Sequence, residues 1–351
     1  MTLHFDALEP FISELLLAAG LAEPKAALVA KSLVAANLRG VDSHGVQLAS
    51  FYIEQILDRN VDIHADGRVA SENGACLAYD GQNGIGQWIS EICCGHAIRL
   101  AREHGIAIVV ARESNHFGAA AFWAQRMSDA GFVGVVMCNA SPLVAPWQGK
   151  EPRFGTNPIC MSVPGPRSWL LDMATTTVAL GKIMNAQFRG QKTIPEGWAV
   201  DKNGAPTTDT DAALNGGMPA PLGGYKGSGL AMMAEILCAV LSGGAMSREL
   251  GGIRIKGQPM RVSQLFIAID VARFMPIDQF ADRMRALVAV VKSSALATGY
   301  DEILVAGDPE WRMEEQRKRD GIPISDGVWQ NLTEAARKLN VALPDFIPPA
   351  P

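Results

Sequence analysis

Ile106-Ala107-Ile108-Val109-Val110-Ala111 is an unbroken apolar run rich in β-branched residues, the pattern of a strand buried on both faces. Behind it, Glu113-Ser114-Asn115-His116-Phe117-Gly118 leads into an alanine-rich helical stretch that Gly131 ends, and Phe132 to Cys138 repeats the buried-strand pattern. Strand, helix and strand at this spacing predict a βαβ unit, a right-handed crossover onto a parallel pair. Toward the N-terminus lie a short strand at Cys76 to Tyr79, the turn-rich stretch Asp80 to Gly86, and a helix from about Gln87 to Glu103. Toward the C-terminus, residues 140–158 form a Pro- and Gly-rich loop leaving a strand's C-terminal end, where α/β sheets bind ligands. Further strands are predicted at Ile159 to Val163, Trp169 to Met173 and Gln264 to Asp270, so the middle of the chain is α/β.

Both flanks read as helical. Pro10 is expected to open a first helix that Gly20 ends, and Pro24 a second that stops at Gly40. In Asp42-Ser43-His44-Gly45-Val46, Asp42 and Ser43 supply cap oxygens and His44 falls in the first turn of a third helix. Unpaired N–H groups there disfavour the imidazolium and attract anions. The Ser114/Asn115 cap would put His116 in the same situation. Asp172-Met173-Ala174-Thr175-Thr176-Thr177 is expected to head a helix toward Ile183. Residues 194–209 read as an irregular excursion, and Gly223-Gly224-Tyr225-Lys226-Gly227-Ser228-Gly229 precedes an apolar helix from Leu230 to Leu241. From about Arg312 the composition is helical again, with Trp329, Leu332, Ala336 and Leu339 on one face.

The totals exclude several classes. With 351 residues, 48% hydrophobic and 19% charged, the chain is a globular protein with room for two domains. A net charge of -5 without basic runs argues against nucleic acid as a partner. The six cysteines show no C-x-x-C or zinc spacing, and the N-terminus has no signal-peptide pattern. Gly229 to Met246 is too short and, with Glu235, too polar for a membrane span. A cytoplasmic location is expected.

Neither glycine cluster is a nucleotide fingerprint: Gly81 to Gly86 lacks G-x-G-x-x-G opening a helix after a strand, and Gly223 to Gly229 lacks G-K-[ST]. Both could be plain turns, although Lys226, flanked by glycines at a helix start, could meet a phosphate. Ser43 beside His44 suggests a nucleophile and base, but neighbours in a helical first turn do not face each other. His44, His116 and Asp172 could converge on a metal, without any local ligand spacing to support it. Asp172 reads equally as a strand-end cap. The residues alone give an α/β protein with a helical annex and a pocket lined by His44, His116, the 140–158 loop, Asp172 and Lys226.

Taken in order, Asp42-Ser43-His44-Gly45-Val46, Ser114-Asn115-His116-Phe117-Gly118-Ala119, Gly155-Thr156-Asn157-Pro158, Asp172-Met173-Ala174-Thr175, Gly197-Trp198 with Gly204-x-Pro206-Thr207-Thr208-Asp209, and Gly224-Tyr225-Lys226-Gly227 resemble the malate/L-lactate dehydrogenase family. This family is unrelated to the Rossmann dehydrogenases of the same name. The resemblance implies a non-Rossmann nicotinamide-binding α/β domain with a mixed sheet, residues 73–308. It also implies a helical domain built from both termini, residues 1–72 with 309–351, and a homodimer. It implies His44 as the acid/base, assisted by Ser43, with His116 taking that role in some members. Thr156 and Asn157 would meet substrate. His116, Phe117, Gly118, Asp172, Met173, Ala174, Lys226, Gly307 and Asp308 would hold NAD or NADP, with NAD preferred, and no metal is implied.

One departure bears on the substrate. Leu48 stands where many members carry an arginine for the substrate carboxylate. The resemblance then implies a larger or more apolar 2-oxo acid, as in the broad hydroxycarboxylate dehydrogenase branch, with Arg39 and Arg153 as candidate carboxylate partners. The alternatives are an NADPH-dependent cyclic-imine carboxylate reductase of the same fold and, in a different class, a metal-dependent hydrolase or lyase.

Overall fold

The computed structural model describes all residues except 168, 254, 256 and 345–351, the last being part of the expected C-terminal helical segment. Strand β1 (Thr2–Leu3) is followed by helices α1 (Phe5–Ala18), α2 (Glu23–Leu38) and α3 (Ala49–Leu57). Strands β2 (Arg68–Asn73) and β3 (Cys76–Asp80) lead into α4 (Gly86–His104), β4 (Ile106–Ser114), α5 (Ala120–Ser128) and β5 (Phe132–Cys138). After the long loop come β6 (Ile159–Ser162), β7 (Leu170–Met173) and α6 (Leu180–Phe188). The short elements β8 (Ala199–Val200), β9 (Pro206–Thr207), α7 (Thr210–Leu214) and β10 (Met218–Pro219) precede α8 (Tyr225–Glu235). The chain finishes with β11 (Val262–Asp270), α9 (Ile277–Lys292), α10 (Asp308–Asp320), β12 (Ile322–Pro323) and α11 (Asp326–Leu339).

A seven-stranded mixed sheet in the order β2-β3-β4-β11-β5-β6-β7 organises the middle of the chain. Its one parallel pair is β3 with β4, joined by α4. The βαβ expectation for residues 106–138 is therefore corrected: β4 and β5 run the same way but are not neighbours. Strand β11 lies between them and pairs antiparallel with both. Its residues Leu265, Phe266 and Ala268 are almost fully buried, which favours a place with partners on both sides. One apolar core lies between this sheet and α4 and α5, around Trp123, Val109 and Phe266.

A second core joins α1, α2 and α3 to β12 and α11. Thr2 and Leu3 pair antiparallel with Pro323 and Ile322, which ties the two ends of the chain together. Pro10 lies inside α1 rather than opening it. The helix forgoes one backbone hydrogen bond there, offset by burial of Leu8, Phe11, Ile12, Leu15 and Leu16 on one face. The excursion at 194–209 forms most of a small three-stranded sheet, β10-β8-β9, packed with α6 around Ile183 and Ala199. Helix α8 starts at Tyr225, ahead of the expected Leu230, and continues into a wider π-type turn, Ile236–Val240.

Candidate active site

His44 does not open a helix. Asp42–His44 and Val46–Leu48 are separate 3₁₀ turns, and α3 starts only at Ala49. The reason is tertiary. Asn37 Nδ2 donates to Asp42 Oδ1 at 2.5 Å while Asn37 Oδ1 accepts the Val46 N–H at 2.7 Å. Arg317, from α10, grips both oxygens of Asp42 at 2.6 and 3.0 Å. Asp42 is thus committed to a side-chain clamp instead of a cap. Gly45 is required because a Cβ would lie 2.2 Å from Asn37 Oδ1. The tight turn also brings Ser43 Oγ to 3.0 Å from His44 Nδ1, so these neighbours do face each other, contrary to the helical expectation.

His116 likewise precedes its helix: α5 begins at Ala120 with Ala119 at its cap. Asn115 does not cap. Its Nδ2 donates to the carbonyls of Asn83 and Gly84 at 3.0 and 2.8 Å. The Gly81 to Gly86 cluster is therefore a packing cradle for this corner, since a Cβ on Gly86 would sit 2.3 Å from the carbonyls of Asn115 and His116. The His116 ring is held by two donors to Nδ1, Tyr52 O–H at 2.6 Å and Gly118 N–H at 3.3 Å. With Nδ1 accepting, the neutral ring carries its hydrogen on Nε2.

The two imidazoles stack at 5.7 Å between centroids and 21° between planes. Burial pushes His44 below its usual range. Burial and then the neighbouring His44 take His116 down to about 3. Tyr52 is pushed up by burial. The helix-terminus argument for a neutral His44 is replaced by desolvation, with the same sign.

Beside the pair opens a cavity of about 590 Å³. Ser43, His44, Gly118, Thr156, Asp172, Ala174 and Gly307 line it, together with Arg39, Leu170, Leu180 and Glu310. Asp172 caps no helix of its own, since α6 starts at Leu180 behind Ala179. It accepts the Ala121 N–H at 2.9 Å, placing an anion at the positive end of α5. Crowding by protein raises its carboxyl to about 6, although the residue still opens to the cavity.

Other expected site residues stand elsewhere. Leu48 is buried in the helical core, Phe117 stacks on Trp123 in the sheet core, and Asn157 is fully buried. Met173 and Asn157 flank cavity-lining residues without lining it themselves. Lys226 is exposed in the first turn of α8. Asp308 pairs with Lys292 at 2.6 Å and accepts the Val305 N–H at 3.0 Å. Of the two candidate arginines, Arg153 pairs with Glu151 at 2.5 Å and is not a lining residue. Arg39 lines the cavity wall, 7% exposed, with Nη1 3.5 Å from Glu314 Oε2, its guanidinium 4.4 Å over the Trp311 ring and, among the described residues, no hydrogen-bond partner for Nε and Nη2.

Sequence reasoning missed Tyr52. The signal was there: a phenol among Ala49, Ile53 and Ile56 on a buried face needs a polar partner. Among the described residues, no group of three or more His, Cys, Asp or Glu side chains could hold a metal ion. No helix among them is long and apolar enough to cross a membrane.

Comparison with known proteins gives the class first: oxidoreductases acting on hydroxy acids. The chain belongs to the malate/L-lactate dehydrogenase family, whose model matches residues 3–333. Malate dehydrogenase of Pyrococcus horikoshii is 38% identical, covering 96% of this chain and 95% of that protein. Ureidoglycolate dehydrogenase (NAD(+)) of Escherichia coli K12 is 34% identical, covering 96% of both. Among solved structures, sulfolactate dehydrogenase of Methanocaldococcus jannaschii superposes with TM-score 0.92 at 34% identity, covering 99% of each chain. Δ1-Piperideine-2-carboxylate reductase of Pseudomonas syringae gives 0.83 at 29% identity, covering 96% of this chain and all of that one. Family members use nicotinamide cofactors.

Proposed function

We propose that this protein is an NAD(P)-dependent dehydrogenase interconverting a 2-hydroxy acid and its 2-oxo acid, with His44 as acid/base. The observation that carries this is His44 on the wall of the large cavity, desolvated and stacked on the His116 ring. His116, held down to about 3 with its hydrogen on Nε2, stays neutral and donates. His44, whose ring has only the rotatable Ser43 hydroxyl on Nδ1 among the described hydrogen bonds, is the group free to gain and lose a proton.

A dinucleotide fits the residues present: apolar walls at Leu170, Leu171 and Leu180, and an arginine wall with two N–H positions unpartnered. Gly118, Asp172, Ala174 and Gly307 would hold it, with His116, Phe117, Met173, Lys226 and Asp308 in support. When bound, the nicotinamide accepts or returns the hydride. In the oxidation direction His44 takes the hydroxyl proton as the carbonyl forms, and Ser43 orients the ring. In reduction His44 returns that proton to the carbonyl oxygen. Thr156 lines the substrate side, and Asn157 acts from behind it. The cationic Arg39 is the carboxylate partner in place of the arginine absent at position 48, and the apolar walls favour larger 2-oxo acids. NAD is the preferred cofactor, in keeping with the ureidoglycolate relative.

The same reading divides the chain into a helical domain, 1–72 with 309–351, and a nicotinamide-binding domain, 73–308, in a cytoplasmic homodimer. Exposed Met232, Ile236, Val240 and Leu241 along α8 and its π turn support self-association. The likeness to the piperideine carboxylate reductase keeps cyclic-imine reduction as the second reading. Nicotinamide fluorescence on titrating NADH and NADPH, followed by turnover of 2-oxo acids from pyruvate to phenylpyruvate and of a cyclic imine, decides between them. Binding with oxo-acid turnover supports the proposal; imine turnover alone supports the second reading; no binding at millimolar cofactor refutes both.

A further inference from the structure

Glu235 is a carboxylate that the chemistry above does not use. It ends α8 and is 6% exposed. Asn139 Nδ2 donates to its Oε2 and Asn157 Nδ2 to its Oε1, each at 3.2 Å. Neither amide is free to turn over. Asn139 Oδ1 accepts the Ser263 N–H at 2.8 Å while its Nδ2 also serves the Ala245 carbonyl at 2.9 Å. Asn157 Oδ1 accepts the Ala140 N–H at 3.1 Å while its Nδ2 also serves the Ala231 carbonyl at 3.0 Å. Both asparagines therefore present N–H groups to position 235, which must accept twice.

These asparagines stand at the two ends of the 140–158 loop. The ends touch, since a Cβ on Gly155 would lie 2.4 Å from the Ala140 carbonyl oxygen. Asn157 is 0% exposed and has a φ of 34°, a conformation a side-chain-bearing residue keeps only when its surroundings impose it. Its neighbours on either side, Thr156 and Pro158, line the cavity. The Thr156 carbonyl accepts both the N–H and the hydroxyl of Thr175, at 2.8 and 2.9 Å, just beyond β7. Halfway along the loop, the Trp147 N–H donates to Ser228 Oγ on α8 at 3.0 Å.

We infer that Glu235 is a positioning residue: as a buried double acceptor it holds Asn139 and Asn157, and through Asn157 it sets where Thr156 and Pro158 stand in the cavity wall. The inference rests on the cavity being the substrate site. The strain at Asn157 belongs to this arrangement, because the contacts that impose φ 34° converge on α8 and Ala140. A glutamine at 235 would keep the size and set an amide N–H₂ against a locked amide N–H₂.

The test compares Glu235→Gln with Cys238→Ala. Cys238 is fully buried three residues on, packs among Val110, Met137 and Leu265, and makes no hydrogen bond to either asparagine among the described contacts. Three readings are taken: thermal midpoint, hydrogen–deuterium exchange across 140–158, and kcat and KM for NADH-dependent 2-oxo acid reduction. Glu235→Gln is expected to speed exchange in the loop and raise KM for the oxo acid about tenfold with a smaller change in kcat. Cys238→Ala is expected to lower the midpoint while leaving loop exchange and KM unchanged. Loop exchange no faster than in the control, or faster exchange with unchanged KM, overturns the inference. Should Glu235→Gln not fold, Asn139→Ala gives the same exchange reading from the other end of the network, and an unchanged loop there overturns it as well. A wild type that turns over no oxo acid sinks the dehydrogenase reading, while the exchange comparison still decides whether Glu235 holds the loop.

Discussion

His44 and His116 stack within 5.7 Å of each other, yet the chain holds them in opposite ways. At His44 the backbone is clamped, by Asn37 on the Val46 N–H and by Asn37 and Arg317 on Asp42, and the ring is left with one serine hydroxyl. At His116 the ring itself is clamped, by Tyr52 and Gly118 on one nitrogen. A ring that must exchange a proton needs a fixed place and a free nitrogen; a ring that serves as a donor needs a fixed tautomer. On the proposed reading, the difference divides the labour between two residues that look alike in the sequence.

The largest expected effect breaks the His44 side. His44→Ala should lower turnover by about 10²–10⁴-fold, the usual worth of a general acid/base, while nicotinamide binding measured by fluorescence stays within a few fold of wild type. Equal losses of binding and turnover would make His44 a cofactor ligand. Next, Asn37→Ala removes the clamp and leaves the buried Val46 N–H without its acceptor. It should cost about 2 kcal/mol in denaturant unfolding and lower kcat as well. An unchanged kcat would mean the 3₁₀ turn holds His44 in place unaided.

Tyr52→Phe sharpens the other side. It keeps the packing and leaves His116 Nδ1 with only the longer Gly118 N–H bond, so kcat should fall about tenfold with little change in midpoint. If kcat is untouched, the Tyr52 hydrogen bond to His116 does not matter to the reaction. The smallest effect is on acid stability. An unfolded histidine takes up a proton as pH falls through 6.5, whereas folded His116 stays neutral down to about 3. Below pH 6.5 the unfolded state therefore binds more protons, and stability falls toward pH 3. His116→Gln should lose stability less steeply across that window in denaturant melts. Parallel pH slopes would mean that His116 is not desolvated as described.

Much of the fold was legible because the buried strands are continuous apolar runs and α4 and α5 carry helical periodicity. The gaps were long-range. Nothing near residue 106 announces that β11 will insert between β4 and β5, and nothing near Asp42 announces Arg317, 275 residues away. Both histidines were visible, but cap chemistry suggested helix N-termini, whereas Asp42 and Asn115 spend their side chains on tertiary contacts. The strands β8, β9 and β10 are two residues each, too short to show a period. The family resemblance supplied roles, not positions: it could not reveal that Leu48 faces the helical core, nor that Tyr52 steadies His116.

The most direct test of the division of labour is the pH dependence of kcat/KM for hydroxy-acid oxidation by wild type, His44→Ala and Tyr52→Phe. On the proposed reading neutral His44 is the base, and burial lowers its pKa, so wild-type activity should hold at pH 6.5 and fall only further into acid. That acid limb should vanish from the residual activity of His44→Ala and persist in Tyr52→Phe. An acid limb that survives in His44→Ala, or that disappears in Tyr52→Phe, would assign the moving proton to His116 and contradict the account.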